Sequence, residues 1–485
     1  MNNGNQLTVC LSWAIILLTM RNLLVSCFGL IMFCCAPVDK QSQQTIETVS
    51  FPERAKDMTI YEVNIRQYTP EGTFNAFAEK LPRLKELGVD MLWIMPIQAI
   101  GEKNRKGSLG SYYSIRDYKA TNPEFGTLED FKALVNKAHE LGFVVILDWV
   151  PNHSAWDNAW VTEHPEYYMT DSAAQFVNSK LKMGEGYYKK KGIGDLVYEA
   201  DWDDIALLNL YNPGTRAAMI DAMKYWVTEA DIDGFRADHP TEEIPMFFWE
   251  EATKEINPIK DLFWLAERDE ARVHLTFHAS YEWGLLSLTE HIAEGKAKAD
   301  DLHDHILYDM ALYGRRPFRL NMITNHDRNA WEGTVFERYG DGAKAMAVFS
   351  FVSYGMPVLY SGQEAGMNKR LKFFEKDAID WSDPDDYFSF YQKLNQIKSE
   401  NKALWAGEFG GVPQKIEDGN ENVFSSVRSK DGNKVIAIIN MSGQEQQVQL
   451  GNQKGKFTEA FSNQPVEITS IQKLGPWQYY ILIGK

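Results

Sequence analysis

Along most of this chain, short continuous apolar runs take turns with longer amphipathic stretches. Thr59 to Ile65, Met91 to Met95 and Phe143 to Asp148 are runs of strand length. Continuous apolarity, instead of in-out alternation, is what a strand buried on both faces requires. Thr73 to Leu87 and Thr127 to Leu141 read as the helices between them, each closed by a glycine, Gly88 and Gly142. The alternation resumes with helix 215–229, strand 232–238, helix 242–256 and strand 261–267. A weaker strand over 276–283 and a helical region over 285–312 follow. Strand 318–324, helix 343–354, strand 357–361 and helix 387–399 complete eight strand–helix units. That count predicts an α/β fold, a (β/α)8 TIM barrel over 57–403.

Two stretches break the rhythm. Residues 154–207 are rich in Tyr, Trp, Asp, Gly and Lys and show no period, so they read as an inserted subdomain after the third strand. From 404 to 485 the pattern becomes β. Val423 to Ser429 and Lys434 to Asn440 flank the turn Lys430-Asp-Gly-Asn433, which predicts a hairpin in a C-terminal antiparallel β-sandwich.

With 44% apolar and 13% aromatic residues, the 485-residue chain can bury a large core. Its net charge of −17 excludes the basic surface that nucleic acid demands. All four cysteines, Cys10, Cys27, Cys34 and Cys35, precede the folded body, which therefore has no disulfide or thiolate metal site. Residues 1–35 hold two apolar runs split by Arg21-Asn22 and ending in Cys34-Cys35, and read as a signal or lipoprotein-type targeting segment. Residues 36–56 read as a linker. The expectation is export across the inner membrane to the periplasm or cell surface, with membrane attachment through an N-terminal lipid or an uncleaved signal as the options.

Four segments end predicted strands with polar side chains: Asp148-Trp-Val-Pro-Asn-His153, Arg236-Ala-Asp238, Glu267 and Asn325-His-Asp327. Barrel enzymes carry their chemistry at those C-terminal strand ends. Arg236 and Asp238 are two apart on a strand and face the same way, so the guanidinium is expected to hold the carboxyl ionised. Three carboxylates beside an arginine disfavour a metal ion and suit glycoside cleavage, in which one carboxylate attacks the anomeric carbon and a second donates a proton to the leaving oxygen.

In order and spacing these segments resemble the signature regions of the α-amylase family, glycoside hydrolase family 13. The resemblance implies Asp238 as nucleophile, Glu267 as general acid/base and Asp327 as the third catalytic carboxylate. It implies Arg236, His153, His326 and Tyr113 in substrate binding, Asp148 as a structural Asp, and Asn152 at the position of a calcium ligand. No cofactor is required by this reading, and calcium stays open. The implied activity is a retaining α-glucan hydrolase on α-1,4 bonds of starch-derived glucans or maltodextrins, with an α-glucan or maltooligosaccharide as substrate. A transglycosylase or isomerase of the same family, a non-catalytic carbohydrate-binding barrel and a metal-dependent barrel hydrolase are the alternatives.

The chain departs from the family in places. Thr241 and Glu242 stand where many α-amylases have Lys-His, and His239 follows the nucleophile position. The insertion aromatics Trp156, Trp160, Tyr167, Tyr168 and Trp202 divide between sugar stacking and packing of the insertion itself.

Overall fold

The computed structural model describes residues 50–484 except 185, 192, 452, 454, 469 and 470. The targeting segment and most of the linker lie outside the described residues. No helix among the described residues is long and apolar enough to cross a membrane.

Eight parallel strands close into a barrel: β1 (Ile60–Val63), β2 (Met91–Ile94), β3 (Val144–Trp149), β4 (Gly234–Ala237), β5 (Phe263–Ala266), β6 (Ala279–Tyr281), β7 (Phe318–Asn321) and β8 (Met356–Tyr360). Each pairs with its sequence neighbours, and β1 closes on β8. Alternation divides each strand between two cores. Ile60, Met91, Trp93, Ile146, Phe263, Leu265, Leu320 and Val358 fill the inside. Tyr61, Leu92, Ile94, Leu147, Phe235 and Trp264 meet the surrounding helices.

This period determines what reaches the rim. On β3 the inward set Val144, Ile146 continues to Asp148. On β5 Phe263 and Leu265 continue to Glu267, and on β1 Ile60 continues to Glu62. Arg236 pairs with Asp148 on one side and Leu265 on the other. Gly234 must be glycine, because a Cβ there would lie 2.0 Å from the carbonyl oxygen of Phe263.

Several elements differ from the sequence reading. The helix expected over 73–87 is two, Phe74–Ala78 and Leu81–Leu87, with Pro82 in the first turn of the second. The helical region 285–312 is also two, Trp283–Ala293 and Asp301–Tyr313. The helix after β4 begins at Met246, not Glu242, because His239 and Glu242 adopt left-handed backbone with φ of 44° and 67°. The insertion is more regular than its composition suggests. It holds the helix Asp171–Leu181, capped by Thr170, and a hairpin of Tyr188–Lys190 with Val197–Glu199. Phe51–Arg54 form a helical turn, with Phe51 buried against Phe263 beneath the barrel.

Beyond the last barrel helix, Tyr387–Glu400, the chain forms a six-stranded antiparallel sheet and a separate pair, Gln446–Gln449 with Ile471–Leu474. Val448 and Leu474 of the pair share a core with Ile436, Ile438 and Leu482 of the sheet. The Lys430–Asn433 hairpin has the expected register.

Candidate active site

Arg236 organises the rim. It is fully buried. Its Nη1 donates to Asp148 Oδ1 at 2.9 Å and to Asp238 Oδ1 at 2.8 Å, and its Nη2 lies 2.8 Å from Glu267 Oε2. The indole of Trp93 stacks under it, 4.9 Å from ring centre to guanidinium carbon. Asp148 Oδ2 accepts from Trp93 Nε1 and from the hydroxyl of Tyr113. Asp148 and Arg236 thus lie below the floor, while Asp238 and Glu267 line the cleft above it.

That cleft has a volume of about 820 Å³, in the range of small-molecule sites. Asp238, Glu267, Asp327, His153, His326 and Tyr113 all line it. Every sequence-nominated rim residue therefore converges on one place, apart from Arg236 and Asp148 beneath and Asn152, which does not reach it.

The electrostatics differ from the simple expectation for Asp238. Burial is the larger influence and raises its pKa, although Arg236 opposes it. Burial also lifts Glu267, to about 7, helped by the charges of Asp238 and Asp327 and resisted by Arg236. Asp148 reaches about 6 through burial. Glu267 Oε2 also accepts the His239 backbone N–H at 3.2 Å. The shared arginine and crowded carboxyls hold a proton on the pair near neutrality.

Glu62 was not legible as a site residue. From β1 it binds His326 Nδ1, while His326 Nε2 meets the Tyr113 hydroxyl at 2.9 Å. Burial opposes the charge of His326, but Asp327 and Glu62 outweigh it and raise its pKa to about 9. His153 is driven by burial to about 4 and is neutral. Tyr113 stacks on His326, with ring centres 5.5 Å apart and planes at 22°. Trp331, Phe373 and Phe374 extend the aromatic wall and were also missed. Of the five insertion aromatics named from the sequence, Trp156 and Tyr168 are buried packing, Trp160 and Tyr167 pack on one another, and Trp202 lines the cleft, where Tyr187 of the insertion joins it.

The resemblance places Asn152 at the position of a calcium ligand. Its side-chain amide is buried with both polar atoms unpaired, so one oxygen is free. Calcium takes six to eight oxygens, mainly carboxylate and carbonyl.

The sequence profile of the α-amylase catalytic domain matches residues 45–243. Over those residues the chain matches the α-amylase family of glycoside hydrolases. Alpha-amylase 2 of Dictyoglomus thermophilum is 24% identical over 436 residues, 85% of this chain and 70% of that protein. The α-1,4-glucan:maltose-1-phosphate maltosyltransferase of Rhodospirillum rubrum is 32% identical over 399 residues, 76% of this chain and 54% of that one. The crystal structure of an α-amylase from Lactobacillus plantarum superimposes with a TM-score of 0.76 at 27% identity, covering 89% of this chain and all of that one. In this α-amylase-like enzyme, the barrel rim gathers those segments in one cleft.

Proposed function

We propose that this enzyme is a retaining α-glucan hydrolase that cleaves α-1,4-glucosidic bonds of starch-derived glucans or maltodextrins. The observation that carries the reading is the single buried guanidinium of Arg236 holding both Asp238 and Glu267 at the floor of the cleft. Asp238 is bound to Arg236 through Oδ1, which leaves Oδ2 to attack the anomeric carbon. Glu267, protonated, donates to the departing glycosidic oxygen as that bond breaks. The result is a glycosyl ester on Asp238 and a shortened glucan. Glu267, now ionised, takes a proton from water, whose oxygen attacks the anomeric carbon and releases Asp238. Two inversions give net retention.

The remaining groups bind and orient. Neutral His153 donates a hydrogen bond to a sugar hydroxyl, Asp327 accepts one, Tyr113 offers a flat face to the ring, and the cationic His326 holds Tyr113 in place. No step passes through calcium.

The test is a time course of products from maltoheptaose and soluble starch, with and without chelator. Short maltooligosaccharides appearing first in the α-anomeric form support hydrolysis with retention. Longer oligosaccharides or an isomerised disaccharide would replace the reading with transglycosylation or isomerisation. The transferase is the second reading, and the 32% identity to the maltosyltransferase favours it.

A further inference from the structure

The loop after Asp238 carries charged side chains for which the proposed reaction has no use. His239, Glu242 and Glu243 bring one ring nitrogen and two carboxylate oxygens within 4.8 Å of one another. His239 Nε2 lies 2.8 Å from Glu242 Oε2 and 3.6 Å from Glu243 Oε2. A third carboxylate faces them from the insertion. Glu199 is fully buried, and neither of its oxygens has a hydrogen-bond partner among the described residues. The charges that act on it are those of Glu243, His239 and Glu242. Its strand partner Tyr188 donates to Glu243 Oε1, so the hairpin presses both residues onto the loop.

Ordinary pairing leaves this cluster unsatisfied. Arg268 takes Glu242 Oε1 at 2.8 Å, and Tyr188 takes Glu243 Oε1. Glu243 Oε2, both Glu199 oxygens and His239 Nε2 remain without a hydrogen-bond partner among the described residues, and His239 Nε2 lies 2.8 Å from Glu242 Oε2. A divalent cation supplies a partner to these buried atoms.

We propose that His239, Glu242, Glu243 and Glu199 form a binding site for a divalent transition-metal ion of the zinc type. The chemistry of the donors selects the class. An imidazole nitrogen with carboxylate oxygens suits zinc and its first-row neighbours, whereas calcium prefers oxygen alone. Bonds of about 2.0–2.1 Å to a tetrahedral ion put ligand atoms roughly 3.4 Å apart, and the two observed nitrogen–oxygen separations bracket that value. Arg268 and Tyr188 hold the outer oxygens of Glu242 and Glu243, as groups around a metal's ligands do. His239 lines the cleft, which provides the entry path. The site shares no residue with Asn152, and it goes beyond the glucan reading because binding is measured without substrate.

The experiment is calorimetric titration of zinc into the purified, chelator-stripped protein, with the visible spectrum of the cobalt(II) form as a second readout. The expected result is one equivalent bound at micromolar affinity or tighter, and a cobalt spectrum of four- or five-coordinate nitrogen–oxygen ligation. Glu199→Gln and Glu242→Gln should each weaken zinc by about 10–100-fold. Glu242 is partly exposed, so its variant keeps the test open if Glu199→Gln does not fold. Absence of binding at millimolar zinc overturns the proposal. So does wild-type affinity in a folded variant, or a cobalt spectrum of an octahedral, water-like ion.

Discussion

Arg236 and Arg428 are both buried, one under the catalytic cleft and one where the barrel meets the β-domain, and they are satisfied by different kinds of partner. Arg236 faces three carboxylates. Arg428 faces none. Its nitrogens donate to the carbonyl oxygens of Val352, Ser353, Trp405 and Gly411. The consequences run in opposite directions. Burial works against both charges, but Asp148 and Glu267 hold the pKa of Arg236 well above its ordinary value. With no carboxylate paired to it among the described residues, Arg428 is pulled by burial down to about 9, and the charge of Arg315 adds to the fall. Neutral acceptors are enough to staple one chain segment to another. Carboxylates crowded on one guanidinium make a site in which a proton is easily moved.

The largest effect expected from that contrast is Asp238→Asn. It keeps the shape and removes the nucleophile, so turnover should fall by about 10⁴-fold or more, while the melting temperature changes little. A folded variant with near-normal turnover would remove Asp238 from the reaction. Glu267→Gln comes next. It should lose about 10²–10⁴-fold on natural glucans and far less on aryl glycosides with good leaving groups, which need no proton. The basic limb of the wild-type kcat/KM profile should lie near the Glu267 pKa of about 7, since the protonated form is required and is lost as pH rises.

Arg428→Met sharpens the other side of the comparison. Four carbonyl oxygens lose their donor, at a cost of about 3 kcal/mol, seen as a lower denaturation midpoint. Turnover per folded molecule should not change, and a selective loss of turnover would show that the seam reaches the cleft. The smallest effect is that of Glu62→Gln. His326 has a folded pKa of about 9, raised above its unfolded value of about 6.5. Its contribution to stability is therefore complete below about pH 6.5 and is lost as pH rises through 9, on the order of 1–3 kcal/mol. Glu62→Gln removes one of the two carboxylates that raise this pKa. Denaturant titrations at pH 7 and pH 9.5 should thus differ less for the variant than for the wild type.

Much of the barrel was legible because buried parallel strands are written as continuous apolar runs, and the rim residues stood out as the polar ends of those runs. Glu62 was readable in principle, as an acid inside the apolar run Ile60 to Ile65, but only closure of β1 onto β8 shows that it faces His326. Trp331, Phe373 and Phe374 come from loops whose approach no period announces. The break at Pro82 replaced a long helix by two. The helix start at Glu242 failed because His239 and Glu242 use left-handed backbone, and the same turn brings Glu242 and Glu243 near His239.

The most direct test of the central claim is to trap the intermediate. A fluorinated maltosyl fluoride has a leaving group that needs no acid and a ring slow to hydrolyse, so its glycosyl ester should accumulate on the Glu267→Gln enzyme. Peptide mass spectrometry should then find one glycosyl group, attached to Asp238. Attachment to Asp327 or any other carboxyl, or no covalent adduct while fluoride is released, would contradict the account.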